Sequence, residues 1–97
     1  MSFIQIIECH TSKFDELQAL QSDWERATEG RRTLRRSIIA QDRNDPSRCL
    51  VLAFFDSFES AMENSNLPET AEISSKMGAL VDGPMLFHDL DVIEDKT

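Results

Sequence analysis

The stretch NSNLPETAEISSKMGALVDGP, Asn64 to Pro84, decides the fold. A proline interrupts a helical pattern at position 68, and the pattern resumes at once. Proline suits the first position of a helix, where its missing N–H costs nothing. Asn66 and Glu69 have the spacing of a capping box, with Asn in place of Ser or Thr. Thr70, Ile73, Met77 and Leu80 then recur at three- and four-residue steps, the signature of one apolar helical stripe. The segment therefore reads as the second part of a helix split near Pro68, with a bend at Leu67–Pro68 that wraps the edge of a sheet and opens a gap above it.

Upstream, Phe58, Ala61 and Met62 face inward on the first part of that helix, capped by Asp56 or Ser57. DGP, Asp82–Pro84, is a turn, and MLFHDLDVIE, Met85–Glu94, reads as a last strand before the tail Asp95–Thr97. RCLVLAFF, Arg48–Phe55, and TLRRSIIAQ, Thr33–Gln41, are two strands joined by the turn-forming DRNDPS. SFIQIIEC, Ser2–Cys9, is the first strand. Between it and Gly30, capped by Thr11 or Ser12, lies a helix with Phe14, Leu17, Leu20, Trp24 and Ala27 on one face. The order β-α-β-β-α-β predicts a ferredoxin-like α+β fold, an antiparallel sheet with helices on one face. Residues 1–97 form a single domain, and a core this thin favours oligomerisation as a way to hide more apolar surface.

Composition excludes several classes of function. The net charge of -8 repels phosphates, which argues against nucleic acid and anionic membranes as partners. No apolar run approaches the ~20 residues that span a bilayer, and MSFIQIIECH does not read as a signal peptide. Two cysteines do not make a secreted disulfide framework, so the expected compartment is the cytoplasm.

In this topology the first and third strands are antiparallel neighbours. Setting Cys9 opposite Cys49 puts Ile7 opposite Val51, Gln5 opposite Ala53 and Phe3 opposite Phe55. The other face carries Ile4, Ile6, Leu50, Leu52 and Phe54, all large and apolar, and is expected to take the helices. The mixed face, extended by Arg35, Ser37, Ile39 and Gln41, would stay bare in a monomer. A second copy packed on it through Phe3, Ile7, Ile39 and Val51 would cover the patch, with Gln5, Ser37, Arg35 and Gln41 lining or rimming the space between the sheets.

FFDSFESAMENSNLPET, Phe54–Thr70, and DGPMLFHDLDV, Asp82–Val92, in β-α-β-β-α-β order, resemble the dimeric α/β-barrel superfamily, within the antibiotic-biosynthesis-monooxygenase-like group. The marks are an aromatic-D-S-x-E junction, a proline after a short helix and a G-P before the last strand. The resemblance implies a homodimer and either cofactor-independent oxidation of a small aromatic or quinone-like molecule or, in the haem-degrading members, an Asn, a Trp and a His around haem. This chain departs from the haem set: its tryptophan, Trp24, is on the first helix, Gln5 stands where the Asn is wanted, and His88 is on the last strand. It also has no tyrosine, which some oxygenases of the group place near substrate. No cofactor and no metal site are expected.

The candidate base is His88, which shares strand parity with Leu86 and Leu90; its other reading is a structural histidine bonded to backbone or to a partner chain. The cavity is expected between sheet and helices, with Gln5, Arg35, Ser37 and Phe55 as ligand-pocket residues. RRTLRR, Arg31–Arg36, could grip an anion or simply pair with surplus carboxylates. Cys9 and Cys49 could form a redox pair or two buried thiols. No nucleotide-binding, nucleophile-elbow or zinc-protease motif is present. Two functions stay open: cofactor-independent oxidation of a flat ring, and ligand binding or dimerisation without catalysis.

Overall fold

The computed structural model describes residues 2–97. Its elements are β1 (Phe3–His10), α1 (Phe14–Ala27), β2 (Arg36–Gln41), β3 (Arg48–Phe55), α2 (Phe58–Ser65), α3 (Pro68–Leu80) and β4 (Leu86–Asp91). The strands form one antiparallel sheet in the order β2-β3-β1-β4. This is the ferredoxin-like arrangement. No helix is long and apolar enough to cross a membrane among the described residues.

Local chemistry sets the breaks. Gly30 takes φ +81 after α1, a left-handed conformation that a side chain disfavours. Ser57 caps α2 by accepting from the Ser60 N–H at 3.1 Å. The split falls where the proline demands it: Asn66 ends α2, Leu67 is extended at φ -64, ψ 135, and Pro68 opens α3. The capping box does not form. Leu67, with no side-chain cap, holds the position before α3, and the Glu69 carboxylate pairs with Arg31 instead. At α1 the cap position belongs to Lys13, without a side-chain cap. Thr11 turns inward, its hydroxyl donating to the Leu80 carbonyl at 2.7 Å and accepting from the Lys13 N–H at 2.9 Å.

The register of the central pair is Cys9 to Cys49, Ile7 to Val51, Gln5 to Ala53 and Phe3 to Phe55, the one set in the sequence reading. The faces, however, are the reverse of expectation. The helices cover the Phe3, Cys9, Cys49, Val51 and Phe55 face. Cys9 and Cys49 pack with Leu17 and Trp24 of α1 and Ile73 and Met77 of α3, while Phe3 and Phe55 pack with Ala61 of α2. Ile4, Ile6, Leu50, Leu52 and Phe54 lie half-buried on the face without helices. Side-chain volume explains the choice. The helices bring bulky Trp24, Met77 and Phe14, which pack where the floor is small, over Cys9 and Cys49, whereas Leu50 and Leu52 at the matching end of the other face would hold them off. Each large apolar side chain buried in this layer contributes about 2 kcal/mol. The dimer-face residues expected from the sequence are therefore misplaced. Phe3 and Val51 are buried, and Ile7 and Ile39 share their helix-side parity.

Candidate functional site

Small and polar side chains at mid-sheet leave space under the helices. The floor of the resulting cavity is Gln5 and Ile7 of β1, Ser37 of β2, and Val51, Ala53 and Phe55 of β3. Gln21 and Trp24 of α1 form one wall. The roof comes from the two halves of the split helix, with Asn64 and Ser65 from α2 and Thr70, Ile73, Ser74 and Met77 from α3. Phe87 of β4 lines it too and is 56% exposed. The break at Leu67–Pro68 thus sits over the gap it was expected to open. The cavity measures about 190 Å³. That lies below the ~300 Å³ at which drug-sized sites begin, and suits a molecule of one or two rings.

Three of the four ligand-pocket residues expected from the sequence converge here: Gln5, Ser37 and Phe55. Gln5 also finds the partner that a polar group in mid-strand requires, donating from Nε2 to Asp89 Oδ1 at 3.1 Å. Arg35 does not join them. It precedes β2, and its guanidinium donates to Asp56 Oδ2 from Nε at 2.9 Å and from Nη2 at 2.6 Å. That pairing holds the Asp56 carboxyl below its usual range.

His88 lies on the opposite face of the sheet. Its Cα partner in β1 is Ile6, and its Nε2 stands 3.5 Å from Glu8 Oε1. Glu8 also accepts from Arg48 Nε at 3.1 Å, and Arg48 Nη1 donates to Asp42 Oδ2 at 3.1 Å. The chain Asp42–Arg48–Glu8–His88 is a charged border along one end of the open face. The cavity itself is lined by no Asp, Glu, His, Cys, Lys or Arg. Its polar groups are the amides of Gln5, Gln21 and Asn64 and the hydroxyls of Ser37, Ser65, Thr70 and Ser74.

Asn64 is the residue that sequence reasoning missed. It is buried, 7% exposed, and its Oδ1 has no hydrogen-bond partner. A buried acceptor without a donor costs about 1–3 kcal/mol, so a fold retains one where something else supplies the donor. The signal was in the quoted segment, where an amide occupies the last turn of a short helix just before the proline. Only the packing of that helix shows that Asn64 turns inward.

Cys9 and Cys49 are both free and buried. Burial pushes the Cys49 thiol up to about 11, and the neighbouring Cys9 adds to the effect. Burial also raises Cys9. Neither is a thiolate at neutral pH, which matches buried thiols better than a redox centre. Among the described residues no cluster of three or more His, Cys, Asp or Glu could hold a metal ion.

The same fold is found in solved proteins of antibiotic-biosynthesis-monooxygenase type. Solved structures with the same fold include an antibiotic-biosynthesis-monooxygenase-type protein from Caulobacter crescentus, with a TM-score of 0.82 and 12% identity over 96% of this chain and 91% of that one. SnoaB, a cofactor-independent oxygenase from Streptomyces nogalater, superposes with a TM-score of 0.83 at 7% identity, over 97% of this chain and 95% of that one. A further antibiotic-biosynthesis-monooxygenase-type protein, from Chloroflexus aurantiacus, gives 0.76 at 17% identity over 100% and 98%. At these identities the likeness is one of fold. No family model matches the sequence, and no curated protein matches it.

Proposed function

We propose that the protein is a homodimeric, cofactor-independent, monooxygenase-like enzyme whose cavity takes a small aromatic or quinone-like molecule. The observation that carries this reading is a ring-sized cavity lined by Trp24 and Phe55 together with uncharged polar groups, among them the Asn64 amide, whose Oδ1 has no hydrogen-bond partner. A ring hydroxyl would donate to it, which fixes the ring against Trp24 and Phe55. The oxygenase SnoaB, on the same fold, supports the reaction class.

With no ionisable group in the lining, the protein's part is positioning and exclusion of water. The substrate must then be electron-rich enough to reduce dioxygen itself. One oxygen atom enters the ring system, and the other leaves as water with two hydrogens from the substrate. On this reading His88 is not the base, because it faces away from the cavity.

The same absence of a base favours a second reading, a non-catalytic ligand-binding dimer. Oxygen uptake separates the two. The protein would be offered dihydroxynaphthalenes and anthrones in a Clark-type electrode, with product analysis under ¹⁸O₂. Label in the product, lost in Asn64→Ala and kept in His88→Ala, is the expected result. Saturable binding without oxygen uptake across the panel would leave the binding reading in its place.

The dimer rests on the open sheet face. Ile4, Ile6, Leu50, Leu52 and Phe54, with Ile38 of β2 and Leu90 of β4, form an apolar field too continuous for a chain that stays alone. A second copy stacked sheet to sheet would cover it, leaving both cavities on the outer sides.

A further inference from the structure

The polarity of the cavity floor is set from outside the cavity. Gln5 sits at mid-strand in β1, between Ala53 of β3 and Asp89 of β4, its cross-strand partners on the helix side. Phe87, two residues before Asp89, shares that parity and lines the cavity. Asp89 itself is exposed and outside the lining. Its carboxylate nevertheless reaches the Gln5 amide, accepting from Nε2 at 3.1 Å.

An ionised carboxylate only accepts hydrogen bonds. The nitrogen of the amide must therefore face Asp89, and the orientation that a side-chain amide otherwise leaves open is decided by chemistry. Oε1 is on the other branch of the same amide, and among the described residues no side-chain hydrogen bond reaches it. With Asn64 Oδ1 in the roof, the site holds two amide oxygens that lack a protein donor, and no Lys, Arg or His lines the space to supply one.

We infer that Asp89 is a positioning residue: by holding the Gln5 Nε2 outward it leaves Oε1 as an acceptor on the cavity floor, so the site takes a ring bearing a hydroxyl donor in preference to its carbonyl counterpart. This rests on the cavity being a ligand site, as proposed above, and goes further by naming the residue that selects the ligand's oxygen chemistry. A carbonyl set against Oε1 puts two acceptors together with no proton between them, and both stay unpaired out of water. A phenol oxidised to a ketone or quinone loses the donor, so the floor that binds the one releases the other.

Isothermal titration calorimetry with 1-naphthol and 1-tetralone tests it. The two carry oxygen at the same place on the same carbon skeleton, the first as a donor and the second as an acceptor only. Both are uncharged, so a change of charge at position 89 does not itself attract or repel them. The unaltered protein should bind the naphthol about tenfold more tightly. In Asp89→Lys the ammonium donates to Gln5 Oε1 and turns Nε2 to the ring. Tetralone affinity should then rise until the ratio is close to one, a gain that a damaged fold would not produce. Naphthol affinity should hold, because a hydroxyl also accepts. Asp89→Glu should keep the preference, and Asp89→Ala, which frees the amide to turn, should narrow it. In a Gln5→Leu background Asp89→Lys should change neither affinity, which shows that Asp89 acts through Gln5. Equal binding of the two compounds by the unaltered protein overturns the inference and leaves the cavity reading standing. So does a preference that survives in both Asp89→Lys and Asp89→Ala, or a shift that persists without Gln5. If neither compound binds the unaltered protein, the cavity reading falls and takes this one with it.

Discussion

Trp24 Nε1 donates to Thr70 Oγ1 across 2.9 Å and so ties α1 to α3 through two residues that both line the cavity. The indole is 6% exposed and packs among Leu17, Ile73, Met77 and the two cysteines. It serves as a beam between the helices as well as a wall. Trp24→Phe removes the donor, strands the Thr70 hydroxyl and leaves part of the indole volume empty. The expected loss is about 2 kcal/mol in denaturant unfolding. A variant as stable as the parent would show that the bond contributes nothing to holding the helices together.

Asn64 should trade stability for binding. Its Oδ1 is buried and unpaired, so Asn64→Leu replaces an unsatisfied acceptor by an apolar group of similar volume. Stability should be unchanged or rise by about 1 kcal/mol. Affinity for a ring hydroxyl, read with 2-naphthol by calorimetry, should fall about tenfold. A variant that loses several kcal/mol of stability while binding 2-naphthol normally would make Asn64 a structural residue.

Acid should weaken the fold. Glu8 is held below its ordinary 4.5 chiefly by the Arg48 hydrogen bond, and Asp42 below 3.8 by the backbone N–H of Asn44 and then by Arg48. Asp56 and Glu69 are lowered in the same way by Arg35 and Arg31. Folded-state values below the unfolded ones mean that the unfolded chain takes up protons first as pH falls. The stabilisation is therefore complete above the unfolded values and is lost as pH drops through the folded ones. The melting temperature should be flat down to about pH 5.5 and fall steadily below about pH 4.5. Arg48→Gln should flatten that fall, because two of the four carboxylates lose their cation. An identical acid slope in the variant would remove the Glu8–Arg48–Asp42 chain from the account.

A charge placed in the open sheet face should split the proposed dimer without touching the cavity. Leu52 is central on that face, opposite Ile6 on β1 and Ile38 on β2. Leu52→Asp is expected to run as a monomer in light scattering while still binding 2-naphthol. If the unaltered protein is itself monomeric at micromolar concentration, the sheet-to-sheet dimer is wrong.

Much of the local order was legible in the chain. The element order follows from periodicity and the split helix from Pro68, and setting Cys9 opposite Cys49 gave the observed cross-strand pairs. Those features depend on neighbours in sequence or on one register, and a wrong register would move every side chain to the other face. Boundaries were less legible. The second strand starts at Arg36, three residues after Thr33, because its first residues form the link from α1. The Asn66–Glu69 pair has capping-box spacing and no capping box, because Arg31, far away in sequence, competes successfully for the carboxylate.

Which face of the sheet receives the helices was decided only by the tertiary structure. Both faces of β1 and β3 are largely apolar, so hydropathy cannot separate them. Hydrophobic burial depends on area and says nothing of what does the covering. Shape complementarity breaks the tie, since large helix side chains need the smaller floor of Cys9, Cys49, Val51 and Ala53. From that one choice follow the placing of Gln5, Ser37 and Phe55 in a cavity, the removal of His88 to the other face, and the turning inward of Asn64. The sequence by itself determined the order of the elements, which residues of each strand share a face, and the place of the helix break. The contents of the site depended on side chains distant in sequence meeting in three dimensions.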